Sequence, residues 1–368
     1  MSGMADARST NTDIFLYELS SGKEINITEK NHGYDKYPVF SPDGSKVAFG
    51  SNDGLLYTHQ PGDARPTVVF ASPSLQAGLC EWAGDGKRLV FSAYDKVAQT
   101  PPNIYCLELD SGQGLPLTND PKTVDRFPHW SPSGQWVAFQ RQFLDDPELR
   151  RQVYLVEVGS GHCLPVLTAS KGDTVSGRFG WSPDSSTLLV TLTHQGRSEL
   201  RAVRIQDQTT AWSYKSEGLQ SGAFSPQGDR ILCLCKDELL WFSYPQGTLL
   251  ARLALEASAA VRHYFNSAQI GFDRQATSVL FLGEDFRLYR WKTGADYECI
   301  LADQPPVRPV FTHEEYTVTS RDGRLIPVQR FIPAQPRPAA ILYVHGGPGG
   351  VIDPDDPLSE NPSAVVDF

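Results

Sequence analysis

The chain has 368 residues, 40% hydrophobic and 21% charged, which supplies enough apolar side chain for a sizeable core and excludes general disorder. Acidic residues outnumber basic ones by 43 to 33, and a net charge of −10 argues against nucleic acid or an anionic membrane as the main partner. No apolar run approaches the ~20 residues that cross a bilayer, and the six cysteines form no C-x-x-C pair, so neither a zinc site nor a disulfide framework is expected.

Residues 1–11 lack the apolar stretch of a secretory signal, and the expected location is the cytoplasm. Residues 14–19 then alternate apolar and polar before Gly22, the first of a recurring hairpin pattern. A second pattern starts at Phe40, where an aromatic residue leads Ser41, Pro42, Asp43 and Gly44. Related turns follow Trp82, Trp130, Trp181, Phe224 and Phe272, at intervals of 42 to 51 residues. Proline presets φ for a turn, Asp or Ser suits the next position, and glycine takes the left-handed conformation that sends the chain back. Downstream of these turns stand Val47, Leu89, Val137, Leu188, Ile231 and Val279, each followed two positions later by another apolar residue. That period of two predicts a half-buried strand after every turn.

The first pattern recurs near 56–57, 104–109, 153–158, 200–205, 240–242 and 288–291, between the aromatic-led turns. Two hairpins per ~46 residues make a four-stranded unit of propeller-blade size, which buries its faces only by stacking on neighbours. The fold class is therefore mostly β: a β-propeller over residues 1–304. Seven hairpins of one kind and six of the other favour seven blades with an incomplete first one, six blades being the alternative. Residues 247–265 also fit a helix, but the repeat register favours an outer strand, a loop and an inner strand. Residues 145–151 read as a solvated loop, and Cys233 and Cys235 as buried neighbours on one strand face.

After about residue 304 the pattern changes. Residues 315–319 and 325–332 read as two strands about a turn at Arg321, Asp322 and Gly323. A linker bounded by Pro333, Pro336 and Pro338 leads into the apolar run 339–344, a strand suited to burial on both faces. His345, Gly346, Gly347 and Pro348 follow. A buried strand ending in His-Gly-Gly is the setting of an oxyanion loop in α/β-hydrolases, where glycine lets backbone N–H groups approach a tetrahedral oxyanion.

Ser-Pro-Asp-Gly blades, a strand pair split by Asp-Gly and the His-Gly-Gly-Pro loop together resemble the prolyl oligopeptidase family of serine peptidases, in its acylaminoacyl-peptidase and dipeptidyl-peptidase-like branch. The resemblance implies a propeller that caps a hydrolase domain and admits short peptides, with residues 305–368 as the start of that domain. It carries His345, Gly346, Gly347 and Pro348 over as the oxyanion loop, and it implies no metal or other cofactor. The family's nucleophile sits on Gly-x-Ser-x-Gly, a string absent from these 368 residues, and none of the eight histidines stands where the family places its base. The chain alone is therefore expected to be inactive, its nucleophile, acid and base lying elsewhere. Glu314 and Glu315 form the only adjacent glutamate pair; in dipeptidyl-peptidase relatives such a pair binds the substrate's amine, but here it sits at the domain junction. The other expectations are a peptide- or protein-binding propeller without chemistry, a split enzyme completed by a second chain, and self-association through the strand at 339–344.

Overall fold

The computed structural model describes residues 13–301, apart from 257–269 and a few short loop positions, together with the strands at 311–319 and 325–333. The elements begin with the hairpin β1 (Phe15–Glu18) and β2 (Lys23–Asn26). Six four-stranded antiparallel sheets follow among the described residues. The first holds β3 (Asp35–Phe40), β4 (Val47–Ser51), β5 (Leu56–His59) and β6 (Thr67–Phe70); the second holds β7 (Leu75–Trp82), β8 (Arg88–Asp95), β9 (Thr100–Glu108) and β10 (Gln113–Pro116). The third comprises β11 (Thr123–Trp130), β12 (Trp136–Phe143), β13 (Arg151–Glu157) and β14 (Cys163–Leu167). The fourth comprises β15 (Asp173–Trp181), β16 (Thr187–His194), β17 (Arg197–Arg204) and β18 (Thr210–Ser216). The fifth runs through β19 (Leu219–Phe224), β20 (Arg230–Cys235), β21 (Glu238–Ser243) and β22 (Leu249–Ala254). The sixth runs through β23 (Ile270–Phe272), β24 (Ser278–Leu282), β25 (Leu288–Lys292) and β26 (Tyr297–Leu301). Each sheet is a simple meander, and the arrangement is that of a six-bladed β-propeller.

The turn chemistry works as the sequence implies. In the first turn Gly44 has φ +71° and its N–H donates to the Ser41 carbonyl at 2.8 Å. The Ser41 hydroxyl accepts from the Lys46 N–H at 2.9 Å, and the serines at 131, 182 and 225 repeat that bond. The aromatic leading each turn then faces the apolar residue beyond it: Phe40 pairs with Val47, Trp82 with Leu89, Trp130 with Val137, and Trp181 with Leu188. Phe224 with Ile231 and Phe272 with Val279 complete the set, so the degenerate sixth copy keeps its register although its turn lies outside the described residues.

The core lies between successive sheets. Phe70, Trp82, Leu89 and Phe91 join the first sheet to the second, and Leu232, Trp241, Val279 and Trp291 join the fifth to the sixth. Full burial of such a side chain contributes about 1.5–3 kcal/mol, which no isolated meander collects on both faces. Residues 249–254 form an outer strand, as the repeat register requires; residues 257–265 lie outside the described ones. Residues 145–148 are turn, with Asp146 bonded to Arg150 at 2.8 Å. Cys233 and Cys235 are both buried in one cluster.

The hairpin β1–β2 has no inner partners of its own among the described residues. Ile14 and Ile27 pack on Val47 and Phe49 of β4, as Ile104 and Leu117 of the second blade pack on Val137 and Phe139. The bonds match as well: Ile14 N–H donates to Thr28 Oγ1 at 2.8 Å, and Ile104 N–H to Thr118 Oγ1 at 2.9 Å. The strands β27 (Phe311–Thr319) and β28 (Leu325–Pro333) form a separate antiparallel pair, with Glu314 opposite Arg330 and Glu315 opposite Gln329. They belong to a second compact unit.

Candidate functional site

Every inner strand from β3 to β19 carries a register shift just before its aromatic-led turn: between Lys36 and Val39, Ala77 and Cys80, Arg126 and His129, Val175 and Phe179, and Leu219 and Ser221. A bulge twists the strand and re-aims the side chains around it. Tyr37 and Phe127 sit in these bulges at φ 58° and 57°, a left-handed conformation costly for an aromatic residue. The chain concentrates its polar chemistry beside these bulges.

On the second, third and fourth blades the bulges bring Glu81, His129 and Gly177 together. His129 Nδ1 lies 3.0 Å from Glu81 Oε2, and its Nε2 lies 3.2 Å from the Gly177 carbonyl oxygen. The Phe179 ring meets the imidazole edge-on, 5.4 Å between centroids. Gly177 has to be glycine, because a Cβ there would fall 2.2 Å from the Phe127 ring. Burial by itself pulls the His129 pKa down, but the Glu81 charge, its hydrogen bond and the Gly177 carbonyl outweigh it, and the net shift is upward.

A second carboxylate–imidazole pair stands on the fourth blade, where Asp173 Oδ1 lies 2.6 Å from Nδ1 of the exposed His194. Asp173 is itself fixed by the Ser170 N–H at 3.0 Å. Such pairs are the base-and-orienter half of a catalytic triad. Among the described residues, however, no hydroxyl or thiol shares a hydrogen bond with either ring, and the His129 Nε2 is taken up by a carbonyl. The buried thiols are no substitute: burial pushes Cys80 and Cys235 up to about 12 and Cys106 up to about 11, which keeps them protonated and unreactive. Among the described residues no three His, Cys, Asp or Glu side chains gather as a metal site would require.

Two buried carboxylates occupy the same place on the inner strands. Asp125 grips Arg141 with two bonds of 2.8 and 2.7 Å, and the guanidinium lies 4.9 Å from the Tyr154 ring centre and 5.1 Å from that of Phe139. Asp35 meets Ser51 in register and accepts from Asn31 Nδ2 at 2.7 Å. Burial raises its pKa to about 6, against the lowering effect of bonds from Ser51, Asn31 and Thr28. At the turn ends of the fourth and fifth blades lies a cavity of about 400 Å³, lined by Pro183, Asp184, Arg204, Gln227, Tyr244 and Pro245 among others.

The oxyanion-loop residues His345, Gly346, Gly347 and Pro348, and the strand at 339–344, lie outside the described residues. Glu314 and Glu315 are adjacent on β27. Neither imidazole pair is among the site residues expected from the sequence. Their partners are 48 and 21 residues distant, and no local spacing announces them; only the repeat register, which sets inner strand beside inner strand, could have brought Glu81 and His129 together.

No protein-family model matches this chain. Among curated proteins, dipeptidyl-peptidase 5 of Porphyromonas gingivalis is 37% identical over 124 residues, a match that takes in 32% of this chain and 18% of that protein. Dipeptidyl-peptidase 5 of Porphyromonas endodontalis is 45% identical over 49 residues, 13% of this chain and 7% of its own. This chain thus covers less than a fifth of the length of either. Among solved structures, an oligogalacturonate lyase in complex with manganese superposes with a TM-score of 0.63 at 16% identity, over 76% of this chain and 82% of that one. The oligogalacturonate lyase of Vibrio parahaemolyticus gives 0.59 at 14% identity, over 74% and 80%. The structural likeness establishes the propeller fold, and the sequence likeness is to a part of two dipeptidyl-peptidases.

Proposed function

We propose that this chain is the propeller of a serine-type peptidase of the prolyl oligopeptidase family, acting on short peptides, followed by the first part of its α/β-hydrolase domain. The observation that carries the reading is the 37% identity to a dipeptidyl-peptidase over 124 residues, joined to the His345-Gly346-Gly347-Pro348 loop after an apolar strand. On this reading the glycine loop borders the oxyanion hole, where backbone N–H groups stabilise the tetrahedral intermediate. The propeller selects peptides by size before they reach the acylating serine. That serine, its base and the orienting acid are not among these 368 residues, since no Gly-x-Ser-x-Gly occurs and both imidazole pairs of the propeller lack a nucleophile. The matched hydrogen bonds of Ile14 to Thr28 and Ile104 to Thr118 support the hairpin β1–β2 as the outer half of a seventh blade.

The test is reaction of the purified chain with a fluorophosphonate probe, beside hydrolysis of fluorogenic dipeptidyl and N-acyl substrates. The expected result is no labelling and no turnover by the chain alone, with both appearing when a polypeptide carrying the nucleophile elbow is co-expressed. Labelling of the chain alone overturns the assignment of the nucleophile. Failure of any elbow-bearing polypeptide to restore labelling favours instead a propeller that binds peptides or proteins without chemistry, a reading supported by the missing elbow.

A further inference from the structure

The bonding of His129 fixes its protonation more tightly than its surroundings do. An uncharged imidazole has one N–H donor and one bare nitrogen that accepts. Nε2 faces the Gly177 carbonyl, which only accepts, so the Nε2 proton is committed. Nδ1 faces Glu81 Oε2 at 3.0 Å, and a carboxylate oxygen likewise only accepts. With a neutral ring, two lone pairs would face each other across that gap, and Glu81 Oε2, which is shielded from water and makes no hydrogen bond, would be left without the cation that it meets at 3.0 Å. Both nitrogens carry protons only in the imidazolium form.

We propose that His129 is a proton-operated clasp on the inner wall of the propeller: as an imidazolium it bridges β7, β11 and β15, and on losing its proton it gives up the tie to Glu81 while the packed core of the second and third blades stays closed. Three blades meet in this one ring, because Glu81 belongs to the second, His129 to the third and Gly177 to the fourth. The Trp181 indole N–H, donating to the His129 carbonyl at 3.4 Å, adds a second link between the third and fourth blades that no proton controls. Deprotonation therefore weakens the seam between the second and third blades without parting it. Glu81 is the charged group that acts on the imidazole. The fourth blade contributes only the Gly177 carbonyl and the Phe179 ring, neither of which titrates, and the cations Arg126 and Arg178 do not enter.

The direction of the effect follows from linkage. A histidine held as imidazolium in the folded state adds stability that is complete below its unfolded value of about 6.5 and is lost as pH rises through the higher folded value. Asp35, with a folded pKa of about 6 against an ordinary 3.8, produces a loss of the same sign at lower pH. The clasp is therefore sought on the alkaline side of neutrality.

The experiment is a pH titration of the histidine side chains in the intact chain by long-range ¹H–¹⁵N NMR, which separates imidazolium from either neutral tautomer. The His129 signal is identified by its disappearance in His129→Gln or, should that variant not fold, by its displacement in Glu81→Gln. The expected result is an imidazolium that persists above pH 6.5 and deprotonates to the Nε2–H tautomer. Thermal unfolding is read in parallel. Wild type loses about 2–4 °C in Tm between pH 6.5 and 8.5, and Glu81→Gln, whose amide can donate to a bare Nδ1, loses that dependence while staying folded. A His129 that titrates at or below 6.5, or a Glu81→Gln protein with the wild-type slope, overturns the clasp. Neither outcome bears on the peptidase reading, which rests on other residues.

Discussion

The first and third blades hold an aspartate at the same place on the inner strand, five residues before the aromatic-led turn, and treat it in opposite ways. Asp125 lies opposite Arg141, which closes a bidentate pair with charge-assisted bonds and stacks between Phe139 and Tyr154. Asp35 lies opposite Ser51 and takes hydrogen bonds from Ser51, Asn31 and Thr28, but burial outweighs them and raises its pKa to about 6. In the second, fourth and fifth blades the same pair of positions is apolar: Ala77 with Ala93, Val175 with Leu192, and Leu219 with Cys235. The fold therefore does not require charge at this position. What it requires is that a carboxylate placed there has a cation across the strand, or accepts a proton.

The most damaging change is Asp125→Ala, which strands the buried Arg141 charge. A cost of about 3–5 kcal/mol is expected in denaturant unfolding, and a loss below 1 kcal/mol would show that the pair is not buried in solution. The double variant Asp125→Val with Arg141→Leu copies the fourth blade, and most of that loss should return, because a well-packed apolar pair replaces a buried ion pair at little cost. A double variant as unstable as the single one would mean that Arg141 matters for its packing rather than for its charge. Asp35→Asn, by contrast, should stabilise the chain by about 1–2 kcal/mol at pH 8 and have no effect near pH 3.5. The sign follows from a folded pKa raised above the unfolded one, which makes ionisation at higher pH a cost to the native state. An unchanged Tm at pH 8 would show that Asp35 is solvated or has a cationic partner. The smallest effect belongs to Asp43 in the first turn, whose pKa is lowered to about 2 by bonds from Ser41 and Ser45. Its contribution is lost only as pH falls below about 4, and Asp43→Ser should shift the unfolding midpoint least of the four because the side chain is exposed.

Much of the fold was legible because each blade repeats the same instructions. The pairings Phe40–Val47 through Phe272–Val279 were readable from one spacing rule, and the rule survived even where the turn itself had lost Ser and Pro. The outer hairpins followed from alternation before a glycine, and residues 249–254 form a strand although the local pattern also fits a helix, since the neighbouring strand supplies the bonds. The candidate site was much less legible. Glu81 and His129 occupy equivalent neighbourhoods of two repeats, yet nothing in either segment names the other, and the Asp125–Arg141 pair looks in sequence like two ordinary surface charges.

Sequence alone determined the period, the turn chemistry and the strand register within each hairpin, because each of these is set by residues within a few positions of one another. Only the tertiary structure decided which carboxylate meets an arginine, which meets a hydroxyl and which meets an imidazole. Those outcomes depend on the face that one strand turns to another and on how far water is excluded between them, and both are settled only once neighbouring blades have stacked.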